Sequence, residues 1–188
     1  MKLLVTGGAG FIGSNFIRFW LGKHPDDRII NVDALTYAGC LESLQDVSKQ
    51  YAERYTFVHA DISDYQRMLA VMKEYTPDIV VNFAAESHNS RAITNPSIFV
   101  ETNVLGTQRM LEAARQVGLS RFHHISTCEV YGDLSLDSDE KFTEDSAYRP
   151  RTPYNASKAA ADMVVRAYHT TYDLPITISN CANNYGPY

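Results

Sequence analysis

The sequence lacks three features, each of which would indicate a particular class of protein. No apolar stretch approaches the roughly 20 residues that a membrane-spanning helix needs. The 17 basic residues are outnumbered by 22 acidic ones and form no run, so the sequence shows no basic patch that would bind a nucleic-acid backbone. Cysteine is scarce: Cys40, Cys128 and Cys181 are odd in number and widely spaced, which favours free thiols over a disulfide framework. We therefore expect neither a membrane nor a nucleic acid as partner.

The N-terminal residues and the length of the chain predict its location and its number of domains. Residues 1–6 lead straight into glycines, without the apolar region and cleavage site of a signal peptide, which together with free thiols predicts a cytoplasmic location. With 188 residues, of which 45% are hydrophobic, the chain is expected to form one globular domain.

Short apolar segments alternate with longer segments of helical periodicity. This alternation predicts an α/β fold with a doubly wound parallel sheet of the Rossmann type. The predicted strands are Lys2–Thr6, Arg28–Val32, Tyr55–His59, Asp78–Phe83, Arg121–Ser126 and Pro175–Ser179. The predicted helices are Phe11–Lys23, Asp64–Glu74, Pro96–Val117 and Pro153–Tyr172, with a weaker helical turn over Leu41–Glu53 and loops over 37–40 and 132–152.

The C-terminal residues 183–188 have the composition of a turn. Six predicted strands precede them, and no helix follows to close the sheet. One interpretation is a frayed terminus; the other is that the chain is the first part of a longer protein. On the second interpretation the domain 1–188 is incomplete, a substrate domain is absent, and the chain alone is expected to lack useful turnover because it cannot position a substrate.

Glycines follow the first predicted strand at a specific spacing. Gly7, Gly10 and Gly13 lie three residues apart, and Gly8 completes an overlapping Gly-x-Gly-x-x-Gly pattern before a predicted helix. Glycines here allow a sharp turn, a close approach of backbone N–H groups to a pyrophosphate and tight packing of helix on strand. The helix N-terminus adds orphan N–H groups and partial positive charge. The segment predicts a dinucleotide-binding loop.

Two aspartates end the next two predicted strands. Asp33 follows Gly13 by about 20 residues, where an acidic side chain hydrogen-bonds the adenosine ribose. Its charge would repel a 2′-phosphate, so Asp33 favours NAD over NADP. Asp61, followed by Ile62, is a candidate contact for adenine. For Asp33 the alternative interpretation is a turn or a helix cap, and for Asp61 it is a helix cap.

Tyr154 and Lys158 lie four residues apart on one face of a predicted helix. A nearby ammonium favours the phenolate, so the pair predicts a lowered pKa of Tyr154 and a general base near neutral pH. Such a pair arises easily by chance. Its combination with the glycine loop and with a strand that ends in Ser126 and Thr127 is much less common.

A more specific pattern is formed by four segments, residues 6–16, 82–88, 126–133 and 180–188. With these segments the chain resembles the extended short-chain dehydrogenase/reductase superfamily over its whole length. Within that superfamily it is most similar to nucleotide-sugar 4,6-dehydratases of the dTDP-glucose type. The first segment indicates the superfamily alone, whereas the other three together favour the dehydratases.

The resemblance implies a bound NAD and a nucleotide-sugar substrate. Phe11 and Ile12 would cover the pyrophosphate, residues 33–36 the adenosine ribose, and residues 83–87 the nicotinamide side. The complete set implied for the cofactor is Gly7, Gly10, Phe11, Ile12, Gly13, Asp33, Ala34, Leu35, Thr36, Asp61, Ile62, Phe83, Ala84, Ala85, Glu86, Ser87, Thr102, Tyr154, Lys158 and Asn184. The set implied for the substrate is Ser87, Thr127 and Asn183.

The resemblance further implies a redox-neutral conversion of dTDP-glucose to dTDP-4-keto-6-deoxyglucose. Tyr154 would take the O4 proton, assisted by Lys158 and Thr127, while hydride leaves C4 for NAD. The 4-keto group acidifies the C5 hydrogen, which Glu129 would remove. A general acid would protonate the departing C6 oxygen, and the hydride would return to C6.

Two positions depart from the family pattern. Cys128 occupies the place of an Asp that usually precedes the Glu and is the presumed acid for water loss. Either Cys128 is the acid, or Glu129 serves as both base and acid, or only C4 oxidation remains; a space-filling role is the fourth interpretation. We favour retained dehydration, with Glu129 essential and Cys128 auxiliary. The second departure is His88-Asn89-Ser90-Arg91, where His-Val-Asp-Arg is usual.

Other functions remain open on sequence alone. One is a nucleotide-sugar epimerase or decarboxylase of the same superfamily, which needs no base at position 129; another is a catalytically silent NAD-binding fragment. No metal site is expected, because His123 and His124 would point to opposite faces of a strand. A homodimer is expected through the helices at 96–117 and 153–172.

Overall fold

The computed structural model of the protein describes residues 1–135, 137 and 139–188. Within these residues the strands are β1 (Lys2–Thr6), β2 (Arg28–Asp33), β3 (Tyr55–His59), β4 (Ile79–Asn82), β5 (Arg121–Thr127) and β6 (Ile176–Cys181). They form one parallel sheet in the order β3-β2-β1-β4-β5-β6. The strand order reverses between β1 and β4, and sheets of this kind bind ligands at the carboxyl ends of the strands beside such a switch point. The predicted fold class is confirmed.

Helices connect the strands and cover both faces of the sheet. They are α1 (Phe11–Lys23), α2 (Gln45–Gln50), α3 (Tyr65–Tyr75), α4 (Asn89–Thr94), α5 (Pro96–Phe99), α6 (Thr107–Val117) and α7 (Pro153–Tyr172). Single 3₁₀ turns at Leu41–Leu44 and Cys128–Tyr131 precede α2 and follow β5, and a π-helical segment, Val100–Gly106, joins α5 to α6. No helix in the described part of the chain is both long and apolar enough to cross a membrane.

Neighbouring residues of the central strands point to opposite faces and enter two separate cores. Leu3 and Val5 of β1 pack with Ile17 and Leu21 of α1, whereas Leu4 lies in the core on the other face. That second core is closed by side chains of α3, α6 and α7, among them Met68, Met110, Leu111 and Val165. Burial on both faces explains why the strands are near-continuous apolar runs.

The structure departs from the predicted elements mainly between residues 89 and 117. Helix α4 was not predicted, because its six residues are largely polar and show no helical periodicity. The helix predicted over 96–117 contains the π-helical segment, which hydrophobic spacing does not reveal. The predicted loop 132–152 has no helix or strand where it is described; its Leu136 and Ser138 lie outside the described residues.

Candidate active site

The glycine loop is shaped by close contacts that leave no room for side chains. Gly7 has a φ of 67°, and a Cβ placed on it would lie 2.6 Å from the backbone nitrogen of Ala84, at the end of the neighbouring strand. A Cβ on Gly13 would collide with the carbonyl oxygen of Gly7. The first turn of α1 follows Gly10, which has no side chain to cap it. The N–H groups of this first helical turn are therefore not capped by a side chain. They lie at the carboxyl edge of the sheet, where they can bind an anion.

Asp33 and Asp61 fix the turns that follow β2 and β3. One carboxylate oxygen of Asp33 accepts a hydrogen bond from the N–H of Ala9 at 2.9 Å, and the other accepts from the N–H of Leu35 at 2.8 Å. Asp61 accepts from the N–H of Ser63 at 2.8 Å. The turn interpretation of Asp33 is therefore confirmed, whereas the helix cap considered for Asp61 is wrong, because Asp64 caps α3. These hydrogen bonds do not exclude ligand binding, because each carboxylate oxygen has more than one lone pair.

A cleft of about 630 Å³ opens between the glycine loop and α7, within the usual range of small-molecule sites. Its lining contains most of the residues that the resemblance implied for the cofactor: Gly7, Gly10, Phe11, Ile12, Gly13, Asp33, Ala34, Thr36, Asp61, Ile62, Phe83, Ala84, Ala85, Glu86, Ser87, Thr102, Tyr154 and Lys158. Leu35 does not line it. An adjoining cavity of about 190 Å³ is lined by Asn184 and by the implied substrate residues Ser87, Thr127 and Asn183.

Tyr154 stands in the first turn of α7, between the two cavities. Its ring is buried and meets the ring of Phe99 edge to face, with centroids 6.2 Å apart. Burial raises the pKa of Tyr154 to about 12, the negative charge of Glu129 acts in the same direction, and a hydrogen bond with Thr127 opposes them. The predicted lowering of this pKa is wrong for this structure, because burial of the phenol dominates.

Lys158 lies one helical turn after Tyr154 and is also buried. Its amino group donates a hydrogen bond to the backbone oxygen of Ile125 in β5 at 2.7 Å. Burial lowers the pKa of Lys158 to about 8, and the negative charge of Asp162 partly opposes this. The amino group is therefore held against the end of the sheet and still carries a proton at pH 7.

Glu129 belongs to the 3₁₀ turn that follows β5 and lines the smaller cavity with Thr127 and Tyr154. Its backbone N–H donates to the hydroxyl oxygen of Thr127 at 3.2 Å. Its carboxylate oxygen Oε2 accepts a hydrogen bond from the amide Nδ2 of Asn89 at 3.1 Å. The structure therefore brings a carboxylate, a hydroxyl and a phenol to one small cavity.

Cys128 takes a different place from its neighbour Glu129. It is half-buried and packs on the apolar cluster of Val130, Tyr131 and Ala159. It lines neither cavity, whereas Cys181 lines the smaller one. This packing supports the space-filling interpretation of Cys128.

Comparison with known proteins identifies the family. Residues 4–188 match the model of the GDP-mannose 4,6 dehydratase family. The chain belongs to this family. The resemblance inferred from the four sequence segments is thereby confirmed.

Curated members of the family are similar over the whole of this chain. The dTDP-glucose 4,6-dehydratases of Salmonella typhimurium and Mycobacterium tuberculosis are 49% identical over 204 residues and 53% identical over 188 residues. Both alignments cover 100% of this chain but only 56% and 55% of the relatives. The chain therefore spans about half the length of the curated relatives it matches.

Solved structures show the same relation. DesIV, a dTDP-glucose 4,6-dehydratase from Streptomyces venezuelae with NAD and TYD bound, superposes with a TM-score of 0.92 at 48% identity; 100% of this chain and 57% of that chain are covered. A UDP-glucose 4-epimerase from Thermotoga maritima with UDP-glucose superposes with a TM-score of 0.86 at 29% identity, with 100% and 57% covered. The fold is common to dehydratases and epimerases.

Sequence reasoning missed buried polar residues that hold the elements of the site together, and Asn103 is one of them. This buried residue of the π-helical segment accepts a hydrogen bond from the N–H of Glu86 at 2.9 Å and donates to the carbonyl of Glu86 at 2.8 Å and to the hydroxyl of Ser157 at 2.9 Å. It thereby joins the loop after β4 to α7. Only the π-helical segment marks it, since such segments are frequent at functional sites.

Asp162 is a second missed residue, buried behind Lys158. It accepts hydrogen bonds from the hydroxyls of Ser126 and Tyr148 at 2.8 and 2.9 Å and from the amide of Asn180 at 3.4 Å. Burial raises the pKa of Asp162, opposed by the Ser126 hydrogen bond and the charge of Lys158. The cluster ties β5, β6 and the loop before α7 to the helix that carries the tyrosine–lysine pair.

The adjacent histidines of β5 point to opposite faces of the sheet. His123 interacts with the hydroxyls of Thr177 and Ser179 at 2.7 and 3.2 Å, whereas His124 is buried beside Asn82. Within the residues that the structure describes, no group of three or more potential metal ligands occurs.

Proposed function

We propose that the chain forms the cofactor-binding and acid–base part of an NAD-dependent nucleotide-sugar 4,6-dehydratase that converts dTDP-glucose to dTDP-4-keto-6-deoxyglucose. The observation that carries the proposal is the presence of Glu129 in the same small cavity as Tyr154 and Thr127. Carbons 4 and 5 of the hexose are adjacent, so one group must take a proton from the C4 hydroxyl and a second from C5 close by. Tyr154 and Glu129 are suited to these two tasks.

The glycine cradle and Asp33 fit NAD. Side chains at Gly7 and Gly13 would collide with neighbouring backbone, so only glycines allow the tight loop that would cradle a pyrophosphate, and the first turn of α1 offers unpaired N–H groups. Asp33 would accept hydrogen bonds from the adenosine ribose, and Phe11 and Ile12, both exposed at the mouth of the cleft, would cover the phosphates. When bound, NAD supplies a hydride acceptor at C4 and a hydride donor at C6.

Tyr154, Lys158 and Thr127 act on the C4 hydroxyl. With a pKa of about 12, Tyr154 is protonated at neutral pH and becomes a base only when positive charge compensates its phenolate. Lys158, with a pKa of about 8, carries that charge at pH 7. The hydroxyl of Thr127, which interacts with Tyr154, orients the sugar hydroxyl on the same side.

Glu129 acts at C5, once oxidation at C4 has acidified the adjacent C–H bond. Its carboxylate can act as a base and lies in the cavity that the hexose must enter if Tyr154 reaches O4. After it accepts the C5 proton, its carboxyl group is the nearest acid for the departing C6 oxygen.

A nucleotide-sugar 4-epimerase is the second candidate, because the fold matches a UDP-glucose 4-epimerase and Cys128 occupies the place of the expected acid. An epimerase needs the tyrosine, the lysine and NAD but no carboxylate at Glu129. Retention of Glu129 in the substrate-facing cavity favours the dehydratase.

A homodimer and a cytoplasmic location belong to the same proposal. Val100 and Leu105, within residues 96–117, and Met163 of α7 are large apolar side chains that remain about half exposed. Such residues on adjacent helices suit contact with a second copy of the chain. Substituting Leu105→Glu together with Met163→Glu should shift a dimer to a monomer in analytical ultracentrifugation. An unchanged mass would contradict this interface.

The cytoplasmic location is supported by the three free cysteines, which suit a reducing compartment.

The activity is tested with dTDP-glucose and NAD. Two proteins are compared: the 188-residue chain alone, and the chain joined to the C-terminal part of the Mycobacterium tuberculosis relative, with which it aligns over 188 residues. The fusion should form a 4-keto-6-deoxy sugar, recognised by its absorbance in alkali and by mass spectrometry, whereas the chain alone should show little turnover because it cannot position the substrate. A 4-epimer would support the second candidate, and NAD binding without any product from either protein would support a silent binding domain.

Cofactor preference is tested by titration with NAD and NADP. NAD should bind more tightly, because the charge of Asp33 lies where a 2′-phosphate would be. Asp33→Asn should weaken NAD binding by about 10- to 100-fold, since it removes a charged acceptor. Equal affinities of the unaltered chain for NAD and NADP would contradict this assignment.

A further inference from the structure

The side chain of Asn89 forms a link between Glu129 and the start of α7. Its amide Nδ2 donates to Glu129 at 3.1 Å, and its Oδ1 accepts from the hydroxyl of Thr152 at 2.7 Å. Thr152 is the N-cap of α7, and its hydroxyl oxygen accepts the N–H of Asn155 at 3.2 Å. Three hydrogen bonds therefore connect the carboxylate to the helix that carries Tyr154.

The direction of each hydrogen bond in this chain of contacts is fixed by chemistry. An ionised carboxylate only accepts, so the end of the Asn89 amide that faces Glu129 must be the NH₂ group. The carbonyl end then faces Thr152, whose oxygen already accepts from a backbone N–H and whose proton is free to donate. In each of the three hydrogen bonds the donor lies on the side away from Glu129 and the acceptor on the side towards it. The series starts at the N-terminus of α7, and a helix N-terminus stabilises negative charge.

Asn89 lies on α4, a helix that the sequence did not predict, far from Glu129 along the chain. The family pattern stated above has valine at this position, and valine has no donor. Cys128, the residue beside Glu129, points into an apolar cluster and makes no hydrogen bond to Glu129 among those the structure describes. The amide of Asn89 is the polar side chain that fixes the carboxylate.

We infer that Asn89 is a positioning residue for Glu129: it keeps the carboxylate aimed at the sugar C5 and couples it to the helix that bears Tyr154. This inference rests on the proposed function. Asn89 lines neither the cleft nor the smaller cavity, so it acts on the reaction through Glu129. The proton-transfer step at C5 should therefore depend on Asn89, whereas oxidation at C4 should not.

The kinetic test separates those two steps in the fusion with the C-terminal part of the Mycobacterium tuberculosis relative. Reduced cofactor formed in a single turnover reports C4 oxidation, and deuterium entering C5 from D₂O reports proton removal by Glu129. Asn89→Val should slow C5 exchange by about 10- to 100-fold, the range expected for one hydrogen bond to a charged group, with C4 oxidation unchanged. Asn89→Asp should slow it further through like-charge repulsion. Ser90→Ala, an exposed neighbour on α4, is the matched control and should leave both steps unchanged.

A double-mutant cycle distinguishes positioning from general support of the fold. In a Glu129→Gln background, Asn89→Val should produce little further loss in C5 exchange, because its target has gone. An equal additional loss in that background, or an equal loss in C4 oxidation, would overturn the inference.

A spectroscopic test on the 188-residue chain alone is independent of activity. The side-chain NH₂ signals of Asn89, identified by their absence from the spectrum of Asn89→Val, should shift in Glu129→Gln and stay in place in Ser90→Ala. Unshifted signals in Glu129→Gln would overturn the link. If the fusion forms neither reduced cofactor nor C5-exchanged sugar while the NH₂ signals shift as expected, the proposed function fails and the link between Asn89 and Glu129 stands.

Discussion

The two ends of the cleft are built by different means. At the end formed by β1 and α1, backbone N–H groups and bare glycine Cα atoms face the cavity beside Phe11 and Ile12, in a loop whose shape is set by steric contact. At the end formed by β5 and α7, the groups that face the cavity are the side chains of Tyr154 and Lys158, with Glu129 in the adjoining smaller cavity, and each is held by a partner remote in the sequence. At the glycine end, function depends on the absence of side chains where the backbone segments meet. At the catalytic end, it depends on charge and hydrogen bonding.

This difference separates the effects that substitutions should have. At the glycine end, an added methyl group should damage binding and stability together, because the obstacle is steric. At the catalytic end, an isosteric change of charge should alter rate and pH dependence while the cavity keeps its shape.

The largest effect is expected at the catalytic end, for Glu129→Gln. General acid–base groups contribute about 10²–10⁴-fold, so dehydration of dTDP-glucose should fall by at least about 10²-fold in the fusion with the relative's C-terminal part. NAD affinity, a property of the other end, should not change. Steady-state rates and NAD titration measure the two quantities. A parallel loss of NAD affinity would show that the two ends are not separable.

Lys158 should make stability depend on pH. Its pKa is lowered from 10.5 to about 8 in the folded chain, so between these values the unfolded chain binds more protons, and stability rises with pH. The penalty is fully present below pH 8 and amounts to roughly 3 kcal/mol. Urea unfolding should show this rise from about pH 8 upwards in the unaltered chain and not in Lys158→Met. The same pH dependence in both proteins would contradict the burial of a charged amine.

A smaller difference is expected at the glycine end between two matched variants. Gly7 and Gly118 have φ of 67° and 68°, so alanine at either position should cost about 1–2 kcal/mol of backbone strain. A Cβ on Gly118 meets nothing within 4 Å, whereas one on Gly7 meets Ala84. Gly7→Ala should therefore lose about 1–2 kcal/mol more than Gly118→Ala in urea unfolding and should also lose NAD binding. Equal losses of stability in Gly7→Ala and Gly118→Ala would show that the loop shifts to relieve the contact with Ala84.

The same difference explains what could be predicted from the sequence. The glycine spacing and the strand before it can be read within one strand–turn–helix unit, and Asp33 follows at a fixed interval, although the contacts of Gly7 with Ala84 and of Asp33 with Ala9 cannot be read from the sequence. The links of Asn89 to Glu129 and of Asn103 to Glu86 join separate elements, and no local pattern encodes them. The pKa of Tyr154 was predicted with the wrong sign, because spacing shows the nearby lysine but not the burial of both groups.

The smallest effect on the rate is expected for substitution of Cys128. This substitution tests whether the catalytic end needs an acid other than Glu129. The thiol of Cys128 packs on Val130, Tyr131 and Ala159 and lines neither cavity, so it is poorly placed to reach the C6 oxygen. A thiol is also a weak hydrogen-bond donor. Cys128→Ala should therefore lower dehydration less than about 10-fold, below the range of a general acid.

Cys128→Asp gives the informative comparison, because it restores the carboxyl group that the family pattern carries beside Glu129. The rate should be kept or raised, since a second carboxyl group can protonate the C6 oxygen while Glu129 takes the C5 proton. Both variants are measured against Glu129→Gln in the same assay. If Cys128→Ala were as damaging as Glu129→Gln, the thiol would be the acid for water loss, and the packing of Cys128 would have to open during turnover. A loss below about 10-fold would leave Glu129, held by Asn89, as the group that both removes and returns the proton.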